Sequence, residues 1–449
     1  MKHGEQSSTA ETRVKDAQIN PAPKVDETEC ASASFRHSEH QRKPIYARVN
    51  TLSSLVERDW RVLWLAGHLW HSSFWMDLII LGWVVLELTN SPLLVSLVGT
   101  FRLLPMGLLG FFAGSQADRM SKKRLLMAAQ VLNISVTAVF TLMLALGVVQ
   151  VWHIFVVAAL TGSAWAIDFP VRRAFIRDLL PEALIFNAMA LDAASLTGTM
   201  MLGRWLAGGL LATVGATGAY AWILGFYVAG FILLITVSDN HVANEPRAKT
   251  DSVWGTLLDG LRYTWGNGIL RGVLVMTIVV NLLVVPYMQL TPVFARDVFH
   301  VGPGYLGLMS GMEGMGALIG TLVLASLGVV RRRGLLFLGG SFLLGIGVLL
   351  FSLSTSFVVA ILMLIVAGLG VSGFATMQTT ITVTTAEPRM RGSAMGAVTL
   401  AIGLLPIGMF MIGLLTEWLG APRAVTVSSL LGLGAILAIT ALQSSLRRA

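Results

Sequence analysis

Residues 334–382 read GLLFLGGSFLLGIGVLLFSLSTSFVVAILMLIVAGLGVSGFATMQTTIT. No side chain in this stretch carries a charge, and apolar residues do not alternate with polar ones. A strand of a membrane barrel needs roughly ten alternating residues. A helix rising about 1.5 Å per residue needs about 20 apolar residues to cross the hydrocarbon layer. The polar turn at 354–356 divides the stretch into 334–354 and 357–382, each of helical spanning length. The reading is therefore two membrane-spanning helices joined by a tight turn.

The same pattern extends in both directions. Apolar runs at 62–86, 93–115, 124–147, 152–171, 187–213, 218–238, 272–294 and 303–327 precede the pair, and runs at 394–416 and 422–443 follow it. The expected fold is all-α, with twelve transmembrane helices in a lipid bilayer. Composition agrees: 55% of the 449 residues are hydrophobic and only 12% charged, against roughly 25% charged in soluble domains. A net charge of +8 would suit nucleic acid in a soluble chain. Here the cations sit in short loops between apolar runs, where they mark topology, and no nucleic-acid partner is expected. The single cysteine, Cys30, makes neither an internal disulfide nor a cysteine metal cluster. The chain contains no G-x-x-x-x-G-K-[ST], HExxH or CxxC, so neither ATP use, a cofactor nor enzymatic catalysis is expected.

The loop charges alternate. Arg119, Lys122, Lys123 and Arg124 follow the second run, Arg172, Arg173 and Arg177 the fourth, and Arg331 to Arg333 the eighth, whereas the opposite loops hold only Arg296 and Arg423. By the positive-inside rule both termini are cytoplasmic. Residues 1–58 are polar and mixed in charge, the composition of a disordered cytoplasmic tail. Residues 59–238 and 271–449 form two six-helix halves, separated by a cytoplasmic loop at 239–270 in which GTLLDGLRYTW is a candidate interfacial helix. Basic clusters after the second and eighth runs form a weak internal repeat, as pseudo-symmetric halves would.

The stretch GSQADRMSKKR at 114–124 resembles the loop motif G-x-x-x-D-R-x-G-R-R/K of the major facilitator superfamily. Gly114, Asp118, Arg119, Lys122 and Lys123 match it, and Ser121 stands where glycine is usual. WVVLELTNSP at 83–92, DFPVRRAFIRDLLP at 168–181, NAMALDAAS at 187–195, TPVFARDVF at 291–299 and EPRMRGSAMG at 387–396 are similar to the branch containing siderophore exporters, such as the enterobactin exporter, and macrolide efflux proteins. The resemblance implies the major facilitator fold, a gate at the motif, and a monomeric carrier in the inner membrane that exports a small amphipathic molecule using the proton gradient. In that family helices 1, 4, 7 and 10 line the cavity. One departure is clear: in TGTMMLGRWLAGG, Arg204 stands where antiporters of this superfamily often carry proline. That weakens a simple proton-antiporter assignment.

A charge at the bilayer centre costs at least about 2.5–3.5 kcal/mol, so charges inside the runs need partners, water or a function. Asp77, Arg102, Arg204 and Glu313 fall, by residue counting, within roughly 6 Å of one layer. They are the candidate proton and substrate pathway. Asp77 and Arg102 are the expected pair, and Arg204 either recognises an anionic ligand or neutralises an acid. Asp168, Arg172 and Arg173 are candidates for a cytoplasmic gate. His71, Asn281, Gln289 and Gln378 are candidate substrate contacts. His68 and His71, three apart on one helix face, keep a metal-ion exporter open, although no metal site is expected. An importer or facilitator of the same fold, and a non-transporting sensor or assembly factor, are also compatible with these residues.

Overall fold

Apolar stretches that must satisfy every backbone group internally form helices, and long helices dominate the molecule. The computed structural model describes residues 52–117, 121–238, 253–326 and 332–448. In order these are α1 (Arg58–Thr89), α2 (Pro92–Ala117), α3 (Lys122–Leu146), α4 (Val151–Leu179), and a 54-residue stretch, Glu182–Ile235, that Gly215 divides into α5 and α6. Then come α7 (Val253–Gly266), α8 (Gly268–Val298), α9 (Pro303–Ser326), α10 (Arg333–Leu353), α11 (Phe357–Thr385), α12 (Arg391–Leu419) and α13 (Ala421–Leu442). Ten of these stretches are long and apolar enough to cross a membrane; α2 is a further 26-residue helix. With Glu182–Ile235 counted as two helices, the set is consistent with twelve spans.

Gly215 makes its turn at φ 69°, a conformation in which a side chain would clash. Up to that break α5 runs without interruption through Arg204, as expected for a helix lacking the usual proline. α8 is the irregular helix. Its backbone widens over Val280–Val284, tightens over Val285–Leu290 and widens again over Phe294–Val298. Pro286 and Pro292 lack the amide hydrogens that a regular helix needs there. α12 is broken near Gly403, with Pro406 restarting it.

Two boundaries differ from the sequence reading. The expected 1–58 tail overlaps the described residues at its end, where Ser53–Val56 form a tight helical turn. Ser54 there is buried, and its hydroxyl donates to Asn187 Oδ1 at 2.7 Å. In the expected 239–270 loop, α7 falls on the candidate helix GTLLDGLRYTW, and the difference is that α8 already starts at Gly268. Asn267 caps α8 by accepting from the amides of Ile269 and Leu270, satisfying donors a helix start leaves open.

The ends of the bundle are named here by their loops. One, the Asn90 end, carries Asn90, Gly215, His300 and Gly420; the other, the Lys122 end, carries Lys122, Leu180 and Ala386. Large apolar side chains such as Val139 and Leu142 on α3, Trp222 on α6 and Leu431 on α13 are exposed on the periphery. An apolar perimeter of this extent needs a lipid-like surrounding.

Candidate functional site

The four charges counted into one layer form two separate pairs. Arg102 on α2 donates through Nη1 to Asp77 Oδ2 on α1. The same guanidinium reaches Thr161 Oγ1 on α4 at 3.1 Å and the Phe74 carbonyl at 3.1 Å. The Tyr220 hydroxyl on α6 donates to Asp77 Oδ1. Asp77 and Arg102 are both buried. This cluster ties together four helices of residues 59–238, and its hydrogen bonds between described residues all stay within them. α2 and α4 meet there at Gly162, where a Cβ would collide with the Arg102 carbonyl.

The second pair joins the two halves. Arg204 Nη1 on α5 donates to Glu313 Oε2 on α9 at 2.8 Å, and to the Ser310 carbonyl at 2.8 Å. Tyr287 on α8 donates to Glu313 Oε1 at 2.8 Å. The guanidinium also lies over the Trp75 ring of α1, 4.9 Å from its centroid. Both charged side chains are buried, and Arg204 Nε has no hydrogen-bond partner. Thus Arg204 neutralises an acid in this conformation.

Other contacts between the halves lie on the same side. Ser91 donates to Glu417 at 2.6 Å, Thr100 to the Pro406 carbonyl at 3.2 Å, and Gln289 Nε2 to the Val95 carbonyl at 3.0 Å. Arg296 Nη1 donates to the Leu86 carbonyl and to Asn90 Oδ1, both at 2.8 Å. Gly208 of α5 packs on Gly307 of α9. Between described residues, each of these links lies from the middle of the bundle toward the Asn90 end. The two halves are therefore closed together at that end.

Nearer the Lys122 end, Arg172 forks onto Asp168, Nε to Oδ2 at 2.9 Å and Nη2 to Oδ1 at 2.7 Å, and Nη1 reaches the Leu63 carbonyl. Asp168 and Arg172 are buried within one half and join α4 to α1, not half to half. Arg173 is 3.7 Å from Asp192 and sits 3.8 Å over the Phe169 ring. His68 hydrogen-bonds Ser195 and packs on Trp64. His71 is buried against Trp165 at 5.5 Å, with Nδ1 unpartnered. No group of three His, Cys, Asp or Glu side chains able to hold a metal occurs among the described residues.

The neutral candidates are engaged with protein. Asn281 donates to the Thr277 carbonyl of its own helix, Gln378 Nε2 donates to Thr277 Oγ1 at 2.6 Å, and Gln289 belongs to the closed end. Of the loop motif, Gly114 falls within α2 and its surroundings lie outside the described residues, as do Asp118 and Arg119. Lys122 pairs with Asp178, and Lys123 Nζ donates to the Ile235 and Val237 carbonyls at 2.8 and 2.6 Å. The sequence reading missed Tyr220 as the second partner of Asp77 and took Arg296 only as a loop cation. A tyrosine inside a span that carries no charged residue was the available signal for the first.

Paired charges inside a two-half helical bundle closed at one end define a multi-pass membrane transporter of the major facilitator type. Residues 49–448 match the family model MFS_3, transmembrane secretion effector, and the chain belongs to that family. It is a transporter and not an enzyme. It is 25% identical to the multidrug efflux pump Tap of Mycolicibacterium fortuitum over 77% of this chain and 86% of that protein. It is 24% identical to the staphyloferrin A transporter of Staphylococcus aureus, over 79% and 88% of the two chains. Macrolide efflux protein A of Streptococcus pyogenes is 21% identical over 74% and 83%. Among solved structures, a POT family transporter in complex with a thioalcohol-conjugated peptide superposes with a TM-score of 0.70 at 12% identity, covering 87% and 96% of the chains. The nucleoside transporter NupG gives 0.67 at 14% identity, covering 86% and 99%. These likenesses show the fold.

Proposed function

We propose that this protein exports a small amphipathic molecule from the cytoplasm by alternating access, driven by the proton gradient. It works as a monomer in the cytoplasmic membrane, with the Lys122 end and both termini inside. The observation that carries this reading is the one-sided closure. A carrier whose halves rock about a central site must seal one end while the other admits substrate, and among the described residues the links from Ser91–Glu417 to Arg204–Glu313 run from the middle of the bundle to the Asn90 end. With the basic loops inside, this is the state that loads from the cytoplasm. Export as the direction is supported by the multidrug and macrolide efflux proteins among the relatives, and a siderophore as one substrate class by the staphyloferrin A transporter.

The side chains toward the Lys122 end suit such cargo. Trp64 and Phe169 are half-buried aromatic side chains, and the buried acids there each face an arginine, so an amphipathic molecule meets no isolated charge. The test is accumulation of labelled siderophores, macrolides and metal ions in cells with and without the protein, repeated with a proton uncoupler. Lower accumulation of one compound, reversed by the uncoupler, is the expected result. Uncoupler-insensitive depletion would remove the proton gradient as the driving force, and protein-dependent uptake would reverse the direction.

A further inference from the structure

Resting on that proton-driven reading, we infer that Glu313 is the acid whose protonation releases the closed end, and that Asp77 is a fixed structural anion. The argument begins from where each pair sits. Asp77, Arg102, Thr161 and Tyr220 all belong to residues 59–238. When the halves rock as units, these partners move together and their contacts persist through the cycle. Arg204 and Glu313 belong to opposite halves. Opening the Asn90 end must separate them, so this pair has two discrete states and the other has one.

The surroundings of Glu313 fit a switch. The ionisable groups facing it are Arg204 from α5 and Tyr287 from α8. α11 packs against its backbone at Gly368 and carries no acidic or basic residue, and α1 contributes the Trp75 ring that covers Arg204. A proton arriving from water adds to Glu313 Oε2, and the arginine keeps its own charge. The pair changes from neutral to singly positive, and the attraction holding α5 to α9 is lost. Arg204 retains the Ser310 carbonyl and the Trp75 face as partial partners, while its unpartnered Nε gains access to water on opening. Buried donors without partners are costly, so release is favoured once the counter-ion is gone. Proton binding and opening of the Asn90 end are thereby one linked equilibrium.

The test needs no substrate. Spin labels are placed at Val214→Cys on α5 and Tyr305→Cys on α9, both exposed beside the Gly208–Gly307 contact, in a Cys30→Ser background. The inter-label distance distribution of the full chain in lipid is measured as the pH is lowered stepwise from about 8 to about 4, below the ordinary range of a glutamate. The wild-type protein is expected to gain a long-distance population as pH falls. Glu313→Gln is expected to show that population several-fold enriched at high pH and unresponsive to pH. Arg204→Gln, which removes the cation favouring the ionised carboxyl, is expected to move the transition to higher pH. A wild-type distribution that ignores pH, an undiminished pH response in Glu313→Gln, or an unmoved transition in Arg204→Gln would each overturn the inference. Proton-driven export in cells alongside any of these results would leave the transport reading standing and remove only Glu313 from it.

Discussion

Gly208 and Gly307 meet across the two halves so closely that a Cβ on Gly208 would lie 2.5 Å from the Gly307 α-carbon, and one on Gly307 would lie 2.6 Å from the Gly208 α-carbon. Backbone contact of this kind is how helices associate where no hydrophobic drive separates lipid from protein. It also places Arg204, one turn away, within reach of Glu313. Gly208→Val should wedge the Asn90 end apart. Overpacking of about 1–3 kcal/mol corresponds to about 5- to 150-fold in the closed-to-open ratio, read by the same inter-label distance and by loss of transport. Gly209, whose Cβ would meet nothing within 4 Å, should accept alanine with a gain of about 0.5–1 kcal/mol. Equal effects at the two glycines would show that the contact does not govern closure.

The helices and the loop charges were legible because lipid imposes a length and a composition on every span. The pairing of Asp77 with Arg102 was legible for a related reason, since a short loop between consecutive helices leaves few partners within reach. Arg204 was harder. Its partner lies more than a hundred positions away in the other half, and nothing in spacing distinguishes a ligand-binding cation from a neutralised one. The same limit applied to Gln289. Its polarity marked a candidate substrate contact, but only the packing of α8 on α2 reveals that it bonds the Val95 carbonyl. Sequence periodicity shows which residues share a face; it does not show which of two facing halves a face will meet.

The Asp77–Arg102 cluster should behave as a clamp. Removing one partner of a buried pair typically costs about 3–5 kcal/mol, because the other charge is left without compensation. Asp77→Ala should therefore lower the unfolding temperature markedly in lipid or detergent. The double variant Asp77→Leu with Arg102→Met should recover most of that loss, since apolar groups of similar size can replace a buried ion pair. Transport that survives in the double variant would agree with a structural role. Transport abolished in a stably folded double variant would return Asp77 to the coupling machinery.

Lys123, part of the loop motif, does more than carry charge. Its ammonium donates to the carbonyls of Ile235 and Val237, where the end of α6 leaves acceptors open. A cation there also complements the helix dipole. Lys123→Met should loosen this end by about 1 kcal/mol, seen as faster hydrogen exchange over residues 235–238 with the rest of α6 unchanged. Unaltered exchange would mean that water satisfies those carbonyls equally well.

Arg296 and Arg204 both hold the Asn90 end, but in different dielectric surroundings, and salt should separate them. Arg296 is partly exposed, shares its charge with Asp297, and donates to the Leu86 carbonyl at the end of α1 and to Asn90. Asn90 closes that helix in a left-handed conformation at φ 54°, which turns its side-chain oxygen into the same acceptor cluster. Contacts of a surface cation with a helix end are worth about 0.3–1 kcal/mol and are screened by salt. Arg204–Glu313 is buried, so salt reaches it weakly. Arg296→Ala should raise the open population up to about fivefold, by the conversion of about 1 kcal/mol. High salt should move the wild-type protein part of the way and leave Arg296→Ala unmoved, while Arg204→Gln should remain responsive. If salt acts on Arg296→Ala as strongly as on the wild type, the exposed latch lies elsewhere on that end, and Ser91–Glu417 is the contact to vary next.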